Sequence, residues 1–501
     1  MRLPFGQHSP HDNVIFFPIS YLRYASDNGY KIPNTFLFRD MLSRELAHQI
    51  FRSSLTQAFL IGLLSFTQPG IYTAISGLGA GGQATTHTYY VSTVIINSLM
   101  TGLAPIFSIF ANLFGLKLTL FIGCIGYAIY SSSLYYNSKT GNQVFILVAS
   151  VILGFSGAAF WTSEGAVVMS YPEKSRRGLF IGIWAFLNKF GGIISGSIVF
   201  SLNYSGTKKG QVSLNTYVAL LSIQCVGPFL AVALSPPEKV LRKDGTKPET
   251  NLAKGNLQQI FRRYVKLVSK KEVLYLLPIF LVNTWYKTWQ SNFMTHNFSV
   301  RTRALNVLLT SVIGCAVDLL GGAFLDCQRI PLHLRVRISW LIIVFFNTAF
   351  FIWGFVVQKY VLTHDLGPLD WATGGYYYNT YVPMQIFKIP GEFVFNWVFW
   401  VVGVNDFTSE ELSYLSGLIR GFESLGGTLS YVVGVANGND MTNLSVAAGA
   451  FWVVIPVVTY ISWRIREKDS STVVYDEEVS ETVNSAKEKQ EVIEIVKEES
   501  R

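Results

Sequence analysis

The amino-acid sequence predicts an all-α membrane protein with about twelve transmembrane helices in two six-helix halves. Three observations carry that expectation: a shortage of charge, the spacing of apolar stretches, and a polar break halfway along. Of 501 residues, 50% are hydrophobic and 15% aromatic, but only 14% are charged. Soluble domains carry roughly 25% charged residues, so most of this chain faces something other than water. The mean hydropathy of +0.34 agrees. A net charge of +9 could suggest nucleic acid. The basic residues, however, sit in short runs between apolar stretches, as in cytoplasmic loops. No nucleic-acid partner is expected.

A bilayer core about 30 Å thick needs about 20 apolar residues in a helix. Stretches of that length fall near 55–76, 89–113, 116–136, 143–169, 178–201 and 213–235, forming an N-terminal half over 54–235. Six more fall near 273–293, 304–325, 336–357, 379–403, 413–436 and 445–463, forming a C-terminal half over 272–463. The tenth is interrupted by Lys388, Pro390 and Glu392. A central loop over 236–271, rich in Lys, Gly and Pro, reads as a cytoplasmic linker. Residues 1–53 form a polar leader without the pattern of a cleavable signal. Residues 464–501 read as an acidic tail without a packed core.

Orientation follows from the positive loops. With the N-terminus inside, the cytoplasm receives the leader, the central loop, the run Lys174, Arg176, Arg177, and the cluster Arg329, Arg335, Arg337. The outside receives chiefly Lys139, Lys208, Lys209, Arg301, Arg303 and Lys359. That bias is about threefold. Both termini are then cytoplasmic, in a secretory-pathway or plasma membrane. Glycosylation sequons at Asn203, Asn297 and Asn443 all fall outside. Four scattered cysteines, Cys124, Cys225, Cys315 and Cys327, show no metal-ligand spacing and read as small buried hydrophobes.

Two related turns occupy matching places in the halves. The first is Ser108, Asn112, Gly115 and Lys117, after the second helix; the second is Gly322, Asp326 and Arg329, after the eighth. Both are degenerate copies of the turn G-x3-D-[RK]-x-G-x-[RK] of facilitator transporters, where charges tether helix ends and a small residue permits close approach. Matched copies in two halves are the mark of repeats related by an axis along the membrane normal. The pairs Gly192/Gly196 and Gly417/Gly421 have helix-packing spacing. The run 77–82 satisfies G-x-G-x-x-G, but an apolar helix rather than a strand precedes it. A nucleotide site is therefore rejected, and neither cofactor nor metal is expected.

Longer motifs resemble a known family. Residues 68–83 (QPGIYTAISGLGAGGQ) are similar to the first-helix signature of the Unc-93-like family of the major facilitator superfamily. Trp161–Gly165, Ser170–Glu173, Gly182–Trp184 with Asn188, Arg301–Asn306 with Leu325–Asp326, and Gly417–Gly427 extend the resemblance over about residues 50–465. The resemblance implies the twelve-helix facilitator fold. It implies no settled activity, because the best-known animal members are described as regulators or trafficking partners, whereas fungal members are taken as transporters. Glu164 and Glu423 stand where the family usually has Gln, Arg420 where it has Lys, and Lys189 where an uncharged residue is common.

Six ionisable residues fall within expected spans: Glu164, Lys189, Asp318, Glu392, Arg420 and Glu423. Each costs a few kcal/mol in lipid, so each is expected to face a cavity or a partner. Arg420 and Glu423 are three apart and can satisfy each other. Lys189 and Glu164 lie on neighbouring helices and can pair. Glu392 follows Pro390-Gly391, expected to break its helix; it then faces the cavity, where desolvation disfavours the charged form and lets it carry a proton. The aromatic residues Trp285, Trp289, Tyr376, Tyr377, Tyr378, Trp397 and Trp400 read as an interfacial belt.

Two functions are open. One is a secondary carrier of a small solute, with proton coupling an option. The other is a non-transporting membrane protein that regulates or escorts a partner. A membrane enzyme finds no catalytic cluster: the seven histidines are scattered, with neither HExxH nor a nucleophile elbow.

Overall fold

The computed structural model describes residues 46–77, 86–204, 213–246, 248 and 257–465, except 365, 367–368, 373, 406 and 438–439. The leader up to 45, residues 78–83 of the family motif and the tail beyond 465 lie outside them. The chain divides into two units, 1–53 and 54–501, and all helices named below belong to the second.

Among the described residues the fold is all-α, with one isolated bridge between Phe298 and Leu369. Ten helical stretches among the described residues are long and apolar enough to cross a membrane. The first expected span is α1 (Ser54–Ser65) and α2 (Ile71–Gly77), joined by a π-turn over Phe66–Gly70. Pro69 lies in that turn, where its missing N–H and its ring disturb the regular ladder. There follow α3 (Thr86–Phe114), α4 (Leu116–Thr140), α5 (Val144–Ser170), α6 (Arg177–Asn203), and the pair α7 (Leu214–Gln224) and α8 (Gly227–Ala233). Gly115, between α3 and α4, has φ +94°, a conformation open to glycine and strained for other residues.

After the central segment come α9 (Leu257–Val268), α10 (Lys271–Leu274), α11 (Leu277–Val282), α12 (Tyr286–Asn297), α13 (Val300–Leu325), α14 (Leu332–Thr363), α15 (Tyr376–Ile386), α16 (Lys388–Gly403), α17 (Ser409–Asn437) and α18 (Asp440–Arg464). The seventh expected span is therefore broken, with Pro278 in the first turn of α11. The eleventh lies inside α17, a 29-residue helix carrying Glu410, Glu411, Arg420 and Glu423. The tenth breaks at Phe387, not at Pro390-Gly391 as expected. The reason is steric: a proline collides with the carbonyl four residues earlier and is tolerated in a helix's first turn.

Successive spans, each broken pair of helices counting as one, alternate direction, so the connections gather at two ends. One end carries Asp326 and the joins after α3, α5 and α16; the other carries Asp370 and the joins after α2, α12 and α17. Two seams dominate the packing across the expected halves, α6 on α13 and α3 on α17. Glycines make both possible. A Cβ on Gly182 would stand 2.8 Å from the Asp318 carbonyl oxygen, and one on Gly417 would stand 2.6 Å from that of Ala104.

Three expectations change. Trp285, Trp289, Tyr377, Trp397 and Trp400 are buried inside the bundle, and of the seven aromatics only Tyr376 and Tyr378 are exposed. Two of the buried indoles find protein partners: that of Trp397 donates to Ser339 at 2.9 Å and that of Trp289 to Gln358 at 2.8 Å. Cys225 is exposed, Cys327 half-buried, and only Cys124 and Cys315 buried. The central loop is not all linker: α9 sets Ile260, Tyr264 and Leu267 inward, with Tyr264 against the ring of Tyr414.

Candidate functional site

A cavity of about 380 Å³ lies between the two seams, toward the Asp370 end. Its wall draws on α2, α3, α6, α12, α13, α16 and α17, so both expected halves contribute. Four basic side chains line it, Lys189, Lys287, Lys388 and Arg420, against two acidic ones, Glu392 and Glu423.

Glu392 is 1% exposed and sits between two ammonium groups. Lys189 Nζ on α6 lies 2.9 Å from its Oε2. Lys388 Nζ, one turn earlier on α16, lies 2.8 Å from its Oε1. Two opposite charges at contact distance offset the cost of burying this side chain. Glu392 reaches the cavity wall as the middle of an ionic triad that ties α6 to α16.

The expected Lys189–Glu164 pair does not form, because Lys189 is directed across the seam to α16. Glu164 is fully buried, and neither of its oxygens finds a hydrogen-bond partner among the described residues; Trp184 and Ser65 are its polar neighbours. Asp318 is fully buried too, and its Oδ1 accepts from the Asn396 amide at 2.8 Å. Neither Glu164 nor Asp318 lines the cavity. The Arg420–Glu423 pair forms as expected, at 2.6 Å. The Arg420 guanidinium also lies over Trp161 at 4.0 Å, Phe399 at 4.8 Å and Phe395 at 4.9 Å. That aromatic cage offsets the cost of its burial.

Lys287 and Lys388 were absent from the six expected residues. In the sequence Lys388 stands out only as an interruption of the tenth span. Lys287 lies within the seventh, in the run Asn283-Thr-Trp-Tyr-Lys-Thr288. A lysine amid polar and aromatic neighbours inside an apolar stretch is the signal that could have found it.

The Asp326 end is closed. The Asp326 carboxylate accepts from the backbone N–H groups of Gly178 at 2.9 Å and Leu179 at 2.6 Å, in the first turn of α6. Burial pushes the Asp326 carboxyl above its usual value, and the unpaired amides and the helix dipole offset part of that cost. In the matching turn, the Asn112 amide donates to the Glu410 carbonyl at 3.4 Å, in the first turn of α17. Ser108 bonds within its own helix to Pro105, Gly322 faces Gly178 and Gly182, and Arg329 is exposed while Lys117 is half-buried. From the central segment, Arg263 reaches Glu410 at 3.3 Å and Lys270 reaches Glu411 at 2.7 Å.

At the other end the connections after α12 and α14 clasp. Arg301 grips Asp370 with two nitrogens, at 2.5 and 2.6 Å, and the Ser299 hydroxyl donates to the same carboxylate at 2.5 Å. Partial burial alone would raise the Asp370 carboxyl, but the bonds from Arg301 and Ser299 outweigh it and hold the group at about 2. Of the sequons, Asn443 is fully buried in α18 and presents no amide to a glycosyltransferase in this conformation. The Asn297 amide donates to the Phe293 carbonyl at 2.9 Å. The Asn203 side chain lies outside the described atoms.

An all-α bundle with a charged cavity between paired seams is the architecture of a multi-pass membrane protein of transporter fold. The chain belongs to the Major Facilitator Superfamily, whose family model matches residues 50–431, and within it to the UNC93-like proteins. It is 32% identical over 383 residues to the "Notoamide biosynthesis cluster protein O'" of Aspergillus versicolor, covering 76% of this chain and 82% of that one. It is 30% identical over 400 residues to the "UNC93-like protein C922.05c" of Schizosaccharomyces pombe, covering 77% and 78%. "UNC93-like protein 1" of Arabidopsis thaliana is 26% identical, covering 84% and 92%. Among solved structures, the facilitator transporter FucP in its outward conformation matches with a TM-score of 0.56 at 14% identity, covering 81% of this chain and 98% of that one. That likeness shows the fold alone.

Proposed function

We propose that this protein is a secondary transporter that moves a small solute across a membrane by alternating access. The observation that carries the reading is the Lys189–Glu392–Lys388 triad, which joins α6 to α16 at the wall of a cavity built by both halves. Charges placed at membrane depth cost several kcal/mol and are kept where they meet a pathway or a moving partner. A scaffold that only escorts another protein has no need of them. The closed Asp326 end and the cavity toward the Asp370 end correspond to one of the two end states of a rocking carrier. With both termini in the cytoplasm, as the positive loops imply, this is the outward-facing state, the conformation described for FucP.

The test is flux. The purified full chain is reconstituted into vesicles, incubated with a metabolite extract, and the lumen assayed, with and without a pH gradient. Selective accumulation of a solute, lost when the Asn112 and Glu410 positions are cross-linked, is expected. No accumulation of any solute, together with stoichiometric co-purification of another membrane protein, would replace this reading with the escort function.

A further inference from the structure

We infer that the solute is a small organic anion and that Lys287 is the group that receives its acid function. The inference rests on the transporter reading and narrows it. Four cationic side chains against two carboxylates leave the cavity wall with an excess of positive charge. One of the two excess charges stays within the triad, where two lysines share one carboxylate, and the pairings leave the other on Lys287. Glu392 is occupied by Lys189 and Lys388, and Glu423 by Arg420. Among the described residues, Lys287 forms no ion pair, and its ammonium lies 5.9 Å from the centre of the Phe395 ring.

An ammonium in such a site gains little from a ring at that distance and much from a counter-charge. Asp318 and Glu164 cannot provide contact, because neither reaches the cavity surface. An incoming carboxylate, sulfonate or phosphate monoester can, by accepting hydrogen bonds from the Lys287 ammonium. A cationic solute faces the reverse situation, with both lining carboxylates already engaged. The rest of the wall suits a flat carbon skeleton: Tyr72, Tyr127, Trp161, Trp184, Phe395 and Tyr431 surround the space. A cavity of about 380 Å³ falls within the usual size for small-molecule sites.

The experiment uses the purified full chain in detergent and four probes built on one ring: isophthalate, benzoate, isophthalamide and benzylammonium. Thermal unfolding reports binding. Isophthalate and benzoate are expected to raise the unfolding temperature, and the neutral and cationic probes are not. Lys287→Gln should weaken isophthalate binding by at least about tenfold, whereas Lys287→Arg should keep it within about threefold of the wild type. If Lys287→Gln does not fold, the wild type answers the question through acetylation. Isophthalate, and not isophthalamide, should protect Lys287 from acetic anhydride, as read by peptide mass.

The inference is overturned if the amide or ammonium probes stabilise as well as the anions. It is equally overturned if neither anion binds, or if Lys287→Gln binds isophthalate like the wild type. Vesicle flux separates this failure from that of the transporter reading. Uptake restricted to neutral or cationic metabolites removes only the anion. Absence of all uptake removes transport.

Discussion

Glu392 shows how much a single carboxylate can organise. Replacing it with Gln leaves Lys189 and Lys388 without their shared counter-charge, and breaking a buried pair in this way costs about 3–5 kcal/mol. Glu392→Gln is therefore expected to abolish flux and also to lower the unfolding temperature. Adding Lys189→Met should recover part of that loss, giving a coupling of about 1–3 kcal/mol in a double-mutant cycle. Strict additivity would argue against the triad. Asp370 obeys the usual carboxylate sign. Its folded value of about 2 lies below the unfolded value of about 3.9. Its contribution is thus full above pH 4 and is lost as pH falls through about 2. Asp370→Asn should remove that part of the acid sensitivity, measured as unfolding temperature between pH 4.5 and 2.

At the scale of elements, the seams decide which end is closed. Asp326 bonds two amides at the start of α6, an arrangement worth about 0.5–2 kcal/mol. Asp326→Asn should shift the balance toward opening of that end by roughly 3- to 30-fold, measured as faster alkylation of a cysteine placed at Ser413. An unchanged rate would show that Asp326 plays no part in closure. The helices themselves were legible, because an apolar run of about 20 residues is a local property. Their breaks and pairings were less so. Pro390 pointed to a kink in the tenth span, yet the fracture lies three residues earlier, at Phe387, where the proline ring acts. The partner of Lys189 could not be read, since neighbours in sequence placed Glu164 beside it while the cross-seam packing of α6 directed it to α16. The aromatic belt failed for a related reason: hydropathy does not distinguish an aromatic side chain facing lipid from one packed between helices.

At the scale of the whole molecule, alternating access requires that the seams at the Asp326 end separate. A cross-link between cysteines at Asn112 and Glu410, where the Asn112 amide meets the Glu410 backbone carbonyl at 3.4 Å, should stop flux without preventing solute binding, and cleaving the cross-link should restore it. Transport that persisted through the cross-link would sink the rocking mechanism. The paired halves were foreshadowed by two degenerate turns, and the structure shows what their divergence means. The second copy holds its helix end with a charge, the first with an amide, so the two seams need not open with equal ease.

Arg242 lies in what the composition marks as linker, yet its guanidinium donates to the carbonyls of Ser170 at 2.8 Å and Tyr171 at 3.1 Å, closing the end of α5. The first ten residues after α8 are thereby fastened to the N-terminal bundle. Anyone dividing this polypeptide into two co-expressed fragments should cut within 247–256 rather than at Pro236, so that the first fragment retains the arginine that seals it.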